Sequence, residues 1–199
     1  MPINIAARRG ARNQRRKAVV AQKRKAEMQL GGLAGQARLA ANSPVQHCLL
    51  SRGLFDIAMG TLVLARGATP YHVTVAVFLL DTAALGVKDV FLHTVSNSEF
   101  ELYVDGLSTT SPMVPVDPGY ARKLLHDLVA WSRGLGFAPH RDYAKVEQIF
   151  GAINPAACDA SFEFGLDGQP ALIAGPRDLD DIDDLDDLVL PIEHDAAAD

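Results

Sequence analysis

Cysteine is scarce: Cys48 and Cys158 are the only two in 199 residues, too few for a disulfide framework. Aromatic residues make up 7% of the chain and none precedes Phe55, so the first fifty residues have nothing to stack on single-stranded bases. Long apolar runs are missing too. The strongest, Val75 to Leu80, breaks at Asp81, far short of the roughly 20 residues a membrane helix needs, so no membrane partner is expected. The N-terminus has the arginines of a secretory n-region but no apolar stretch after them, and serine is absent before Ser43, unlike a transit peptide. Together with two thiols and no disulfide pattern, this gives a cytoplasmic expectation. There is no Walker loop, no dinucleotide-binding glycine motif and no nucleophile elbow. No two Cys or His have zinc spacing, and the segment from Gly165 to Gly168 is too short for a calcium loop. No cofactor is expected.

What the chain does have is charge, sorted by position. Residues 1–30 carry nine basic side chains, Arg8, Arg9, Arg12, Arg15, Arg16, Lys17, Lys23, Arg24 and Lys25, against Glu27 alone. Residues 178–199 carry ten acids and no Lys or Arg. The total is −5, and such asymmetry points to a polyanion-binding arm and an acidic tail around a nearly neutral domain. If residues 8–25 are helical, Arg8, Arg12, Arg15 and Arg16 share a face. Arginine suits bidentate phosphate contacts, and neutralising phosphates releases counterions without demanding exact geometry. The acidic run alternates Asp with Leu and Ile, a composition that suits a segment ordered by a basic protein partner.

Three regions follow: a basic arm at 1–42, a single globular domain at 43–175 and an acidic low-complexity tail at 176–199. Within the domain, Val45–Ser51 reads as a strand and Gly53–Ala58 as a helical turn. Thr61–Ala65 and His72–Leu80 read as a hairpin across Arg66-Gly67-Ala68-Thr69-Pro70, followed by a strand over Asp89–Val95. Ser98 and Glu101 have capping-box spacing ahead of Phe100, Tyr103, Val104 and Leu107. Asp117-Pro118 starts the best amphipathic helix, with Ala121, Leu124, Leu125, Leu128, Trp131 and Leu135 on one stripe and Gly136 as its stop. A shorter helix follows Asp142, and Asp167-Gly168 predicts a hairpin between Ser161–Phe164 and Pro170–Ala174. With no sustained βαβ alternation, the expected class is α+β, a mainly antiparallel sheet with helices packed on one side.

One segment breaks an apolar run with charge: Asp81, Lys88, Asp89 and His93 lie at the end of one predicted strand and on the next. Two carboxylates and a histidine suit a divalent metal, and Lys88 suits a developing negative charge. The competing structural reading makes Asp81 a turn cap, Gly86 a left-handed turn residue and Lys88–Asp89 an exposed pair. His140-Arg141-Asp142-Tyr143 offers a helix start with Arg141 and His140 beside it, where a phosphate could sit.

The blocks Leu85–Asp89 (LGVKD), Leu135–Tyr143 (LGFAPHRDY) and Phe162–Pro170 (FEFGLDGQP) resemble those of a bacterial family of uncharacterised proteins. The resemblance spans most of the central domain and neither terminus. It implies a single domain and transfers no site residue. The sequence therefore predicts a non-enzymatic binding protein whose arm contacts nucleic acid, either RNA or the ribosome. The alternative is a metal-assisted hydrolase of a phosphate-containing substrate, with Asp81, Asp89 and His93 as ligands or base and Lys88 stabilising charge.

Overall fold

Leu62, Val63, Leu64 and Ala65 are consecutive and all at 0% exposure, which in a strand means that both faces are covered. A computed structural model of the chain describes residues 31–69, 71–173 and 189–191. Helix α1 (Leu33–Ala40) leads into four strands, β1 (Val45–Ser51), β2 (Met59–Arg66), β3 (His72–Asp81) and β4 (Gly86–Ser96). Helix α2 (Asn97–Thr110), a three-residue strand β5 (Met113–Pro115), the long α3 (Pro118–Gly134) and the single-turn α4 (Tyr143–Val146) follow. Two 3-10 turns, Glu147–Phe150 and Pro155–Ala157, precede β6 (Ala171–Ile173) and β7 (Val189–Pro191). The main sheet is antiparallel in the order β4-β3-β2-β1-β5, and β6 pairs with β7 apart from it. This is the expected α+β class.

Helices α1, α3 and α4 share one face. Ala37, Leu124, Leu125, Leu128, Tyr143, Val146 and Phe150 pack there on Leu62, Leu64, Ala76, Phe78, Leu80, Val90 and Leu92. Each such fully buried large side chain contributes about 1.5–3 kcal/mol. The expectation of helices on one side holds for these three. Helix α2 lies across the sheet, where Phe100, Val104 and Leu107 meet Val63, Ala65, Val73, Val75 and Val77. The period-two alternation of β3, with Val75 and Val77 on one face and Ala76 and Phe78 on the other, requires that second cover.

Local signals set most boundaries. Asp117 Oδ1 accepts from the Gly119 and Tyr120 amides at 2.7 and 3.2 Å, capping α3 ahead of Pro118. At its other end the Phe137 amide donates to the Ser132 carbonyl and Gly136 (φ +90°) to Arg133, a Schellman closure. The capping box of α2 is Ser96 with Glu99, two residues earlier than the Ser98–Glu101 pair. The chain turns from strand to helix at Ser96 itself. Asp142 stands at the N-cap position of α4 without a side-chain capping bond and pairs with Lys145 instead.

Two other expectations are corrected. Asp167 (φ +52°) and Gly168 (φ +76°) do form the tight turn, but it closes a single bridge between Leu166 and Gln169. No strand forms over Ser161–Phe164, because its aromatics are drawn onto α3: Phe162 meets Tyr120 at 5.1 Å and Phe164 meets Trp131 at 5.4 Å between centroids. The partner of β6 is β7, from within the segment read as acidic tail. No helix among the described residues is long and apolar enough to cross a membrane.

Candidate functional site

The four charged candidates on β3 and β4 separate into distinct roles. Asp81 ends β3 at 2% exposure, and its Oδ1 accepts from the amides of Ala83, Ala84 and Leu85 at 3.0, 3.0 and 3.3 Å. A carboxylate with three amide donors is organising the β3–β4 turn. Gly86 continues that turn at φ +73°, in the left-handed region, where a Cβ would fall 2.4 Å from Ser132 Oγ on α3. Lys88 is the extra residue of a bulge, since Leu79 pairs with Asp89 and Leu80 with Val87, and its Nζ stands 3.8 Å from Asp81 Oδ2.

Asp89 and His93 go elsewhere. Asp89 Oδ1 accepts from the Val90 amide and lies 3.6 Å from His140 Nε2, which curls around the outer edge of β4 while the His140 amide donates to the Val87 carbonyl. His93 pairs with Val75, whereas Asp81 pairs with Gly86. Six residues along β3 separate those pairings, or about 20 Å. The structure thus joins Asp81 to Lys88 and Asp89 to His140, and leaves His93 apart from both carboxylates. Among the described residues no group of three or more His, Cys, Asp or Glu is placed to hold a metal ion. His140–Asp142 opens only the single turn of α4. His47 and Cys48 face opposite sides of β1, His47 lying against Phe100 at 4.8 Å and Cys48 in the main core. The nine basic residues of the arm lie outside the described residues.

His93 instead lines a groove of about 420 Å³ between β3, β4 and α2. Its walls are apolar: Val75, Val77, Phe91, Val95 and Phe100, with His93, Glu99 and Tyr103 as the polar groups. The groove exists because α2 covers only part of the sheet face. Phe91 remains 46% exposed on β4 and Tyr103 42% exposed on α2. Glu99 is fixed at one end, its Oε2 accepting from the Ser96 amide at 2.8 Å and hydroxyl at 2.7 Å. Those bonds hold its carboxyl below the usual range, so it is ionised at neutral pH. Burial pushes the Tyr103 phenol up. Concave, mostly apolar and carrying a few polar groups, this groove has the composition common to ligand-binding clefts. The signal for it in the sequence is that β4 is apolar at Val90 and Leu92 and again at Phe91 and Val95, so that one set lacks a helix to bury it fully.

Arg66, read in the sequence as a hairpin residue, is the other unexpected site. At 7% exposure its guanidinium donates to the carbonyls of Ala41 (3.1 Å), Ser43 (2.6 Å) and Phe150 (2.9 Å). Burial lowers its pKa, and the three acceptors are backbone carbonyls, so its work is structural.

No protein-family model matches the chain, and neither a curated protein nor a solved structure does.

Proposed function

We propose that the chain is a non-enzymatic binding protein whose basic arm contacts nucleic acid, RNA or the ribosome, and whose central domain serves as the folded platform for that arm. One observation carries the reading: nine basic residues against one acid in the first thirty, on a chain whose total charge is −5. A segment so far from the average charge of its own protein is suited to a polyanion, and counterion release supplies the driving force. The geometry of the domain agrees with binding rather than catalysis, since Asp81 is occupied by three amides and His93 stands about 20 Å of strand away. In the same reading the ten carboxylates of residues 178–199 compete with phosphate for the arm or recruit a basic protein.

Titration of the full chain with an RNA duplex over a range of salt concentrations tests this. If four to six of the basic residues reach phosphates, the log–log slope is about −4 to −5, at ~0.9 per phosphate. Deleting residues 1–30 flattens the slope and leaves the domain folded. Binding that survives the deletion with its slope unchanged overturns the reading.

A further inference from the structure

The arm and the groove match each other. Within the arm, Ala18-Val19-Val20-Ala21-Gln22 is an uncharged island between two basic triplets, Arg15-Arg16-Lys17 and Lys23-Arg24-Lys25. The groove has the inverse arrangement. Its apolar floor of Phe91, Val95, Val75, Val77 and Phe100 lies between Asp89, two residues before Phe91 on the same face of β4, and Glu99, hydrogen-bonded to Ser96 at the far end. Helix α2 alongside carries Glu99, Glu101 and Asp105 and no Lys or Arg.

Spacing agrees with charge. Asp89 to Ser96 is seven residues of β4, or about 23 Å. Arg16 to Lys23 is also seven residues, and an extended chain spans about 23–25 Å over that length. Reach is adequate as well. From Ala21 to Gly31, where the described chain begins, ten residues extend up to about 33–36 Å, close to the diameter of a domain of this size. Val19 and Val20 are β-branched, which favours the extended conformation that a groove beside a strand accepts.

We propose that residues 15–25 of the same chain dock in this groove, with the uncharged island Ala18–Gln22 over the floor between Phe91 and Val95 and the flanking basic triplets at Asp89 and Glu99. The docking stands on the groove and the arm alone. Its consequence, that nucleic acid and groove compete for one arm, rests on the proposed function. The arm is then held against its own domain until a polyanion withdraws it, and the mixed apolar and ionic contact weakens as salt screens its ionic half.

Amide spectra of the full chain test the proposal by comparing wild type with Val19→Ser/Val20→Ser, which keeps every charge. Docking predicts shifts at Phe91, His93, Val95 and Tyr103 and none along α3 at Leu124–Leu128. Glu99→Gln, which retains the capping geometry, gives part of the same shift. Groove amides that do not move with the serine pair overturn the docking. Shifts that grow with protein concentration, together with a dimer in sedimentation equilibrium, assign the groove to a second copy's arm and overturn docking within one chain. In parallel, the serine pair should bind oligo-uridylate RNA severalfold more tightly than wild type at low salt, because its arm is already free. If neither protein binds that RNA while the groove amides still shift, the nucleic-acid reading fails and the docking stands.

Discussion

The Arg66 guanidinium donates to the Phe150 carbonyl at 2.9 Å across 84 positions of sequence, and through its other Nη to Ala41 and Ser43. One side chain from the end of β2 thereby ties together the exit of α1 and the end of the 3-10 turn Glu147–Phe150. Arg66→Ala leaves the part-buried Ala41 and Ser43 carbonyls without this donor, while the Phe150 carbonyl keeps the Ile153 amide at 3.2 Å, and the expected loss is about 3 kcal/mol in urea denaturation. Arg66→Lys keeps the charge but not the fork, and recovers only part of that loss.

Gly86 and Gly136 give a controlled comparison, since both have positive φ. At Gly136 a Cβ would meet open space, and Gly136→Ala costs about 1 kcal/mol from backbone conformation alone. At Gly86 the new Cβ would also strike Ser132 Oγ at 2.4 Å and Cβ at 2.7 Å, so Gly86→Ala costs roughly 1–3 kcal/mol more. Equal midpoints for the two variants would show that α3 yields freely at Ser132.

The two thiols should behave differently. Burial, reinforced by the charge of Asp117, pushes the Cys48 thiol up to about 12, so it is neutral and inaccessible at pH 8. Cys158 is partly exposed in the turn after Pro155–Ala157. Iodoacetamide should modify Cys158 in the native protein and Cys48 only at the rate of unfolding. Rapid native labelling of both would contradict the packing of β1.

Hydrogen bonds from Ser96 lower the Glu99 pKa, and the bond from Lys145 does the same for Asp142. A carboxylate depressed in the folded state stabilises fully above its unfolded value, near 4, and that contribution is lost as pH falls through the folded value. Melting temperature should therefore drop as the solution is acidified below about pH 4. Glu99→Gln should make that decline shallower while leaving α2 formed. A curve of unchanged shape would remove Glu99 from the account.

What the sequence made legible was local. The caps of α3, its apolar stripe and the hairpin of β2 with β3 are specified by residues a few positions apart, and each is found. The capping box moved by two residues because Ser96 both ends β4 and starts α2, a choice that composition does not resolve. The role of Arg66 was illegible because its acceptors are carbonyls, present at every residue and selected only by the fold. The separation of His93 from Asp81 needed the register of β3 with β4 and the bulge at Lys88. The groove needed the placement of α2 on the second face, and the partner of β6 lay in a segment whose composition argued against any strand.

The two edges of the main sheet are unequal. One is β5, three residues long. The other is β4, eleven residues long, and from Val90 to Ser96 it carries no charged side chain. Among the described residues, the backbone bond from His140 to Val87 is the one that reaches its outer side. Natural sheets commonly guard a long edge with lysine, proline or a bulge, and here the bulge at Lys88 protects only the beginning of the strand. The remainder, Val-Phe-Leu-His-Thr-Val-Ser, has the uncharged, β-prone character of a self-associating segment. The open edge from Val90 to Ser96 is therefore a template on which a second strand can pair, and heating or a slow step in folding that populates such pairing makes β4 the aggregation hazard of this fold.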